Sequence, residues 1–213
     1  MTLEKERNEI VATCLLLLRL GLTNGTSGNV SIFNRREKLV ALTPSGVSYQ
    51  EMKPEDISIL DINGKLIEGK KPSSEIDMHL IFYKNRDDVN AIIHTHPVYI
   101  TVLACLGEDL PAIDYMIAIS GNNKVKCAKY ASFGTMELAK NAYNATENSK
   151  AVILANHGLT VVAENLKNAL NISEQLEYVA QLYVEARKIG NPIILDDKEM
   201  INILNKFRTY GQQ

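Results

Sequence analysis

The sequence predicts a single α/β domain of layered helices and sheet, with at least part of the sheet antiparallel. Three observations carry this. Short β-rich runs are mixed with longer helical stretches at irregular intervals along the chain, the pattern expected when helices cover a sheet. Asn63-Gly64 lies between two such runs, a two-residue hairpin signal that joins antiparallel neighbours. The 213 residues are 46% hydrophobic and 23% charged, with no repeat, low-complexity segment or linker. That suits one core rather than two.

Taken in order, residues 3–20 read as a helix stopped by Gly21. Residues 23–29 are rich in Asn, Gly, Ser and Thr and read as a loop. Residues 30–33 and 38–42 look like strands joined by a polar turn, and Thr43-Pro44-Ser45-Gly46 is a tight turn. Residues 57–61 and 65–67 flank the Asn63-Gly64 hairpin. Pro72-Ser73-Ser74-Glu75 opens a helix to residue 84. Residues 89–94 form a β-rich run, after which Pro97 starts a helix. Residues 134–144 are helical, 151–154 and 159–162 are strands around His157-Gly158, and 166–188 and 196–207 are helices.

The formal net charge of −2 leaves no electrostatic footprint for nucleic acid or for an anionic membrane. An anionic substrate must therefore be held by local features: a metal, a helix N-terminus or backbone amides. Cys14, Cys105 and Cys127 are far apart and odd in number. This argues against a disulfide framework and fits a reducing cytoplasm. Each sits among apolar residues and reads as a small buried hydrophobe. The run Cys14-Leu15-Leu16-Leu17-Leu18 is preceded by Glu4, Glu6 and Glu9 and broken by Arg19. It is neither a secretory signal nor a membrane span, and reads as a buried amphipathic helix.

His94-Thr95-His96 is the sharpest local feature. Residues i and i+2 of a strand share a face, so both imidazoles can converge on one ion at the end of the run Ala91-Ile92-Ile93. Read without metal, they are two histidines at a strand end. Asn156-His157-Gly158 follows a second apolar strand, and the glycine permits close backbone approach. Three imidazoles are the protein share of a catalytic zinc site, with the fourth position left open. His79, four residues after Glu75, reads as packing or support. Glu75 lies behind Ser73 and Ser74 at a helix start, where the dipole stabilises a carboxylate. It is a candidate acid/base or an ordinary N-terminal residue. Thr26-Ser27-Gly28-Asn29, Thr43-Pro44-Ser45-Gly46 and Ser73-Ser74 each offer hydroxyls and free backbone N–H groups. Such turns hold a phosphate without much positive charge.

These residues in this order resemble the class II sugar-phosphate aldolase and epimerase family. The match is carried by Gly25-Thr26-Ser27-Gly28-Asn29-Val30-Ser31, Leu42-Thr43-Pro44-Ser45-Gly46, Lys71-Pro72-Ser73-Ser74-Glu75, His94-Thr95-His96-Pro97 and Asn156-His157-Gly158-Leu159. Residues 112–118, 127–135 and 206–211 are most similar to the L-fuculose-phosphate aldolases of that family. Ser27 departs from the alanine expected there. The resemblance implies a three-layer α/β/α sandwich with a central, largely antiparallel sheet, spanning residues 1–213 with a mobile tail from about residue 208. It implies a homotetramer with active sites at subunit interfaces and one Zn²⁺ per subunit, held by His94, His96 and His157, with Glu75 as the fourth ligand in the empty enzyme and substrate oxygens in its place when occupied. Thr26, Asn29, Ser45, Gly46, Ser73 and Ser74 would bind the substrate phosphate. Glu75 would be the proton carrier, with a pKa nearer neutrality than a free carboxyl's. Tyr115 would act on the aldehyde side from the neighbouring subunit, and Tyr210 would close over the substrate.

The implied reaction is reversible cleavage of L-fuculose 1-phosphate to dihydroxyacetone phosphate and L-lactaldehyde. The alternatives on the same scaffold are L-ribulose-5-phosphate 4-epimerase and methylthioribulose-phosphate dehydratase. From another class, a non-catalytic adducin-head-like binding module would be expected to lose the histidines.

Overall fold

The structure is a computed structural model describing residues 1–207. One eight-stranded sheet runs through it, in the order β4-β3-β2-β1-β5-β8-β7-β6. The strands are β1 (Asn29–Asn34), β2 (Leu39–Leu42), β3 (Ser58–Asp61), β4 (Leu66–Glu68), β5 (Ala91–Thr95), β6 (Cys127–Ala128), β7 (Ala151–Leu154) and β8 (Gly158–Ala163). Every neighbouring pair is antiparallel except β6–β7. The Asn63-Gly64 turn joins β3 to β4 as expected, with Gly64 at φ +88°.

Among the described residues six helices cover both faces: α1 (Glu4–Arg19), α2 (Ile76–Asn85), α3 (Val98–Leu106), α4 (Met136–Thr146), α5 (Leu166–Ile189) and α6 (Asp197–Phe207). The strand residues alternate between two cores. Val30, Ala41, Ile59, Ile93, Ile153 and Val161 face α1, α3, α5 and α6. Val40, Leu42, Leu60, Ile92, Val152 and Val162 face α2 and α4. The period-2 pattern therefore builds a three-layer α/β/α sandwich. β5, β7 and β8 are buried throughout, because helices cover them on both sides.

Some expectations change. Short 3₁₀ turns at Pro54–Asp56 and Tyr115–Ser120, and the two-residue β6, carry too few residues for a periodic signal. In α1, Ile10, Cys14 and Leu17 are buried while Leu15 and Leu16 are exposed, so the leucine run straddles the edge of the buried stripe. Cys14 is buried as expected, Cys127 is half-buried, and Cys105 is exposed on the outer side of α3; all three are free thiols. Among the described residues no helix is long and apolar enough to cross a membrane.

Candidate active site

Strand register brings the site together. On β1 and β5, Asn29 lies opposite His94, and on β8 Thr160 lies opposite His94. His96 follows β5 directly and shares the His94 face. His157 sits in the β7–β8 connection, where Asn156 adopts φ +53°, a left-handed conformation that asparagine tolerates better than most residues. The adjoining Gly158 is required by contact rather than by φ. A Cβ there would lie 2.4 Å from the Thr95 carbonyl oxygen and 2.7 Å from His96 Cδ2. Gly28 plays the same part on the β1 side, at φ +85° with an added Cβ 2.4 Å from the His94 carbonyl oxygen.

The three imidazoles converge through their Nε2 atoms. His94 Nε2 is 3.0 Å from His96 Nε2 and 3.2 Å from His157 Nε2. Ligands about 2.05 Å from a tetrahedral ion are about 3.3 Å apart along each edge, so His94 has a zinc-like spacing to each of the other two, and all three nitrogens lie within 4.8 Å of one another. His94 Nδ1 donates to the Leu159 carbonyl oxygen at 2.9 Å, which fixes the ring with its Nε2 lone pair facing the other two. Glu75 completes the cluster, with Oε2 3.2 Å from His94 Nε2 and Oε1 3.5 Å from His157 Nε2. The buried Oε1 has no hydrogen-bond partner, as expected of an oxygen that faces an ion or a substrate. The three imidazoles could together hold a divalent cation, and Glu75 lies beside them.

Electrostatics agree. Burial, with help from the neighbouring His94, pushes His96 down to about 3 and His157 down to about 4. Both imidazoles are therefore neutral at neutral pH, the state in which they could bind a metal. Burial alone would raise Glu75. His94 and His157 beside it, with hydrogen bonds from His94 and Asn29, outweigh burial and hold the carboxyl well below the usual carboxylate range. The expected shift toward neutrality is thus reversed, because the carboxylate sits within an imidazole cluster rather than in an apolar pocket.

Glu75 is the N-cap of α2, not a residue of its first turn. Residues 72–73 are held instead by β-type pairing to the 43–46 turn: Pro72 bridges Pro44, Ser73 N donates to the Thr43 carbonyl oxygen at 3.1 Å, and Ser45 N donates to the Lys71 carbonyl oxygen at 2.9 Å. This pairing brings the anion-binding turns side by side. Thr26, Asn29, Ser45, Gly46, Ser73, Ser74, Glu75, His96 and His157 all line one cavity of about 420 Å³, with His94 fully buried behind it. Among the described residues no lysine or arginine lines it. Asn29 is more deeply committed than a plain phosphate ligand, since its Nδ2 donates to Glu75 Oε2 at 2.9 Å.

One predicted residue stands apart. Tyr115 is 54% exposed, lies outside the cavity, and packs near Phe207 with ring centroids 6.4 Å apart. Tyr210 lies outside the described residues. Conversely, Tyr130 and Phe133 line the cavity and were not singled out from sequence. Two exposed aromatics just before Gly134 were the available signal. Gly134, at φ +71°, packs against the Ser74 carbonyl and so anchors this loop beside the site.

The chain matches the Class II Aldolase and Adducin N-terminal domain family over residues 8–184. It is 51% identical to 5-deoxy-D-ribulose 1-phosphate aldolase of Bacillus thuringiensis serovar kurstaki, over 100% of both chains. It is 42% identical to L-fuculose phosphate aldolase of Escherichia coli K12, over 99% of this chain and 98% of that one. Among solved structures, an L-fuculose 1-phosphate aldolase superposes with a TM-score of 0.95 at 48% identity, covering 98% of each chain. The family is metal-dependent, and the histidine triad that could hold the ion is intact here. The chain belongs to the class II aldolase family and is a lyase.

Proposed function

We propose that this enzyme cleaves a ketose 1-phosphate with a terminal methyl group between C3 and C4, giving dihydroxyacetone phosphate and a short aldehyde. The observation that carries the reading is one cavity lined by His96, His157 and Glu75, with His94 directly behind them, and by Ser/Thr/Gly turns. 5-Deoxyribulose 1-phosphate, which would release acetaldehyde, is the first candidate, on the strength of the 51% relative. L-Fuculose 1-phosphate, which would release L-lactaldehyde, is the second, supported by the 48% structural neighbour. The two share the dihydroxyacetone phosphate half and a terminal methyl, so the triad and the turns serve both.

The phosphate is received by the hydroxyls of Thr26, Ser45, Ser73 and Ser74, the Gly46 backbone and the second amide proton of Asn29. Oriented N–H and O–H groups do this without a cationic side chain. His94, His96, His157 and Glu75 hold the ion, and neutral imidazoles with a carboxylate suit Zn²⁺. Bound there, the cation supplies Lewis acidity at the ketose carbonyl. In the cleavage direction Tyr115 of a neighbouring subunit would take the C4 hydroxyl proton as its own phenolic proton passes to solvent. The C3–C4 bond would break, its electron pair would pass to the C2 oxygen as an enediolate, and Glu75, having first taken up a proton from solvent, would deliver it to C3. In condensation the carboxylate of Glu75 takes that proton, the role for which its ionised state prepares it. No lysine Schiff base is required.

Assembly as a homotetramer accounts for Tyr115 lying outside its own cavity. It also accounts for the exposed apolar row Val98, Val102 and Leu106 on α3, next to His96. The three free thiols suit a cytoplasmic location. The test is release of triose phosphate from 5-deoxyribulose 1-phosphate and L-fuculose 1-phosphate. An epimerase would convert its substrate without releasing triose, which would overturn the proposal.

A further inference from the structure

His79 is the one histidine outside the metal cluster, and it is fully buried on α2. It sits in a continuous line of side chains. Tyr83 Oη is 2.6 Å from Ser31 Oγ, and Ser31 Oγ is 2.6 Å from His79 Nδ1. His79 Nε2 meets Asn29 Oδ1, and Asn29 Nδ2 donates to Glu75 Oε2. All five residues are buried. The spacing is simple: Asn29 and Ser31 are i, i+2 on β1, and His79 and Tyr83 are i, i+4 on α2, so two faces meet residue by residue.

Each donor and acceptor in the line is determined by the carboxylate at its end. Glu75 only accepts, so the Asn29 amide must turn its NH₂ toward it and its oxygen toward His79. That oxygen requires a proton on His79 Nε2. Nδ1 is then a lone pair that accepts from the Ser31 hydroxyl, and Ser31 accepts from Tyr83. The reverse arrangement would set the Asn29 oxygen against a carboxylate in a buried site, where an unsatisfied group is costly. Burial pushes His79 down to about 3 and pushes the Tyr83 phenol up, so neither group changes charge at neutral pH.

We propose that His79 is a positioning residue for the aldolase reaction: through Asn29 it pins Oε2 of Glu75 and leaves Oε1 as the oxygen that exchanges the substrate proton. The proposal rests on the reading of Glu75 as the proton carrier. It explains why one carboxylate oxygen is hydrogen-bonded while the other is buried without a partner. It also gives the fourth histidine a defined tautomer, opposite to that of His94, whose Nδ1 carries the proton.

The test separates proton transfer from binding and from folding. The metal-loaded enzyme is incubated with dihydroxyacetone phosphate in D₂O without aldehyde, and exchange at the carbon next to the carbonyl is followed by NMR. His79→Met, which cannot donate, is expected to lower exchange and kcat about 10–100-fold, the usual range for partners of metal-site ligands, with KM changed less than about 3-fold. His79→Gln places an amide N–H near the Nε2 position and is expected to recover most of the exchange; His79→Asn does not reach it. In wild-type protein labelled with ¹⁵N-histidine, His79 is expected to show the Nε2–H tautomer, independently of activity. An Nδ1–H tautomer, or unimpaired exchange in His79→Met, would overturn the proposal. If Glu75→Gln itself exchanged at the wild-type rate, the reading of Glu75 would fail instead, and the two failures are thereby distinguished.

Discussion

Replacing Gly158 with alanine inserts one methyl group at the tightest point of the site. The new Cβ would lie 2.4 Å from the Thr95 carbonyl oxygen and 2.7 Å from His96 Cδ2, whereas ordinary contact begins at 3.4 Å. The shortfalls are 3.4 − 2.4, about 1.0 Å, and 3.4 − 2.7, about 0.7 Å. The backbone cannot yield freely, because Leu159 is paired with Thr95 in the ladder and its carbonyl also receives His94 Nδ1. Much of the displacement therefore falls on the His96 ring. Overpacking of this kind costs about 1–3 kcal/mol, or about 2–12 °C in Tm for a chain of this size. A ligand moved by about 0.7 Å is well beyond the roughly 0.2 Å that metal-site distances tolerate. Thermal melts, elemental metal content and kcat should therefore fall together. Gly190→Ala is the control: it has no atom within 4 Å of an added Cβ, and it should stay within about 0.5 kcal/mol of wild type. If Gly158→Ala melted like Gly190→Ala and kept its full metal content, the steric argument would be refuted.

Other outcomes follow from the same geometry. Glu75→Gln should keep substantial metal, since His94, His96 and His157 remain, but lose most turnover; an unchanged kcat would remove Glu75 from the chemistry. Truncation after Phe207, which deletes Tyr210, should impair catalysis more than stability, as seen by comparing kcat with Tm; wild-type kinetics would deny Tyr210 a role. Tyr115→Phe should lower kcat with little change in Tm, because its half-exposed side chain contributes little to the core; a large Tm loss with intact kcat would make it structural.

Much of the site was legible because its parts are local. His94 and His96 share a face through strand periodicity alone, and the Asn63-Gly64 hairpin fixed part of the antiparallel order. Glu75 caps α2 instead of lying in its first turn because residues 72–73 pair with the 43–46 turn, a partnership some 30 residues away that no local pattern encodes. The low pKa of Glu75 has the same origin, since it depends on imidazoles 19 and 82 residues further along. His79 was visible as i+4 from Glu75, but its partners Asn29 and Ser31 lie 50 and 48 residues earlier. Only the packing of α2 over β1 brings them together. Cys105 was misjudged because α3 is apolar nearly all round, so composition could not show which side faces outward.

The central claim is that His94, His96, His157 and Glu75 hold a divalent ion on which carbon–carbon cleavage depends. It is tested most directly by measuring triose phosphate release from 5-deoxyribulose 1-phosphate before and after removal of metal with a chelator, and again after zinc is restored. The account predicts release that is lost on chelation and recovered with about one zinc per subunit. Full release by protein shown to be metal-free would contradict it.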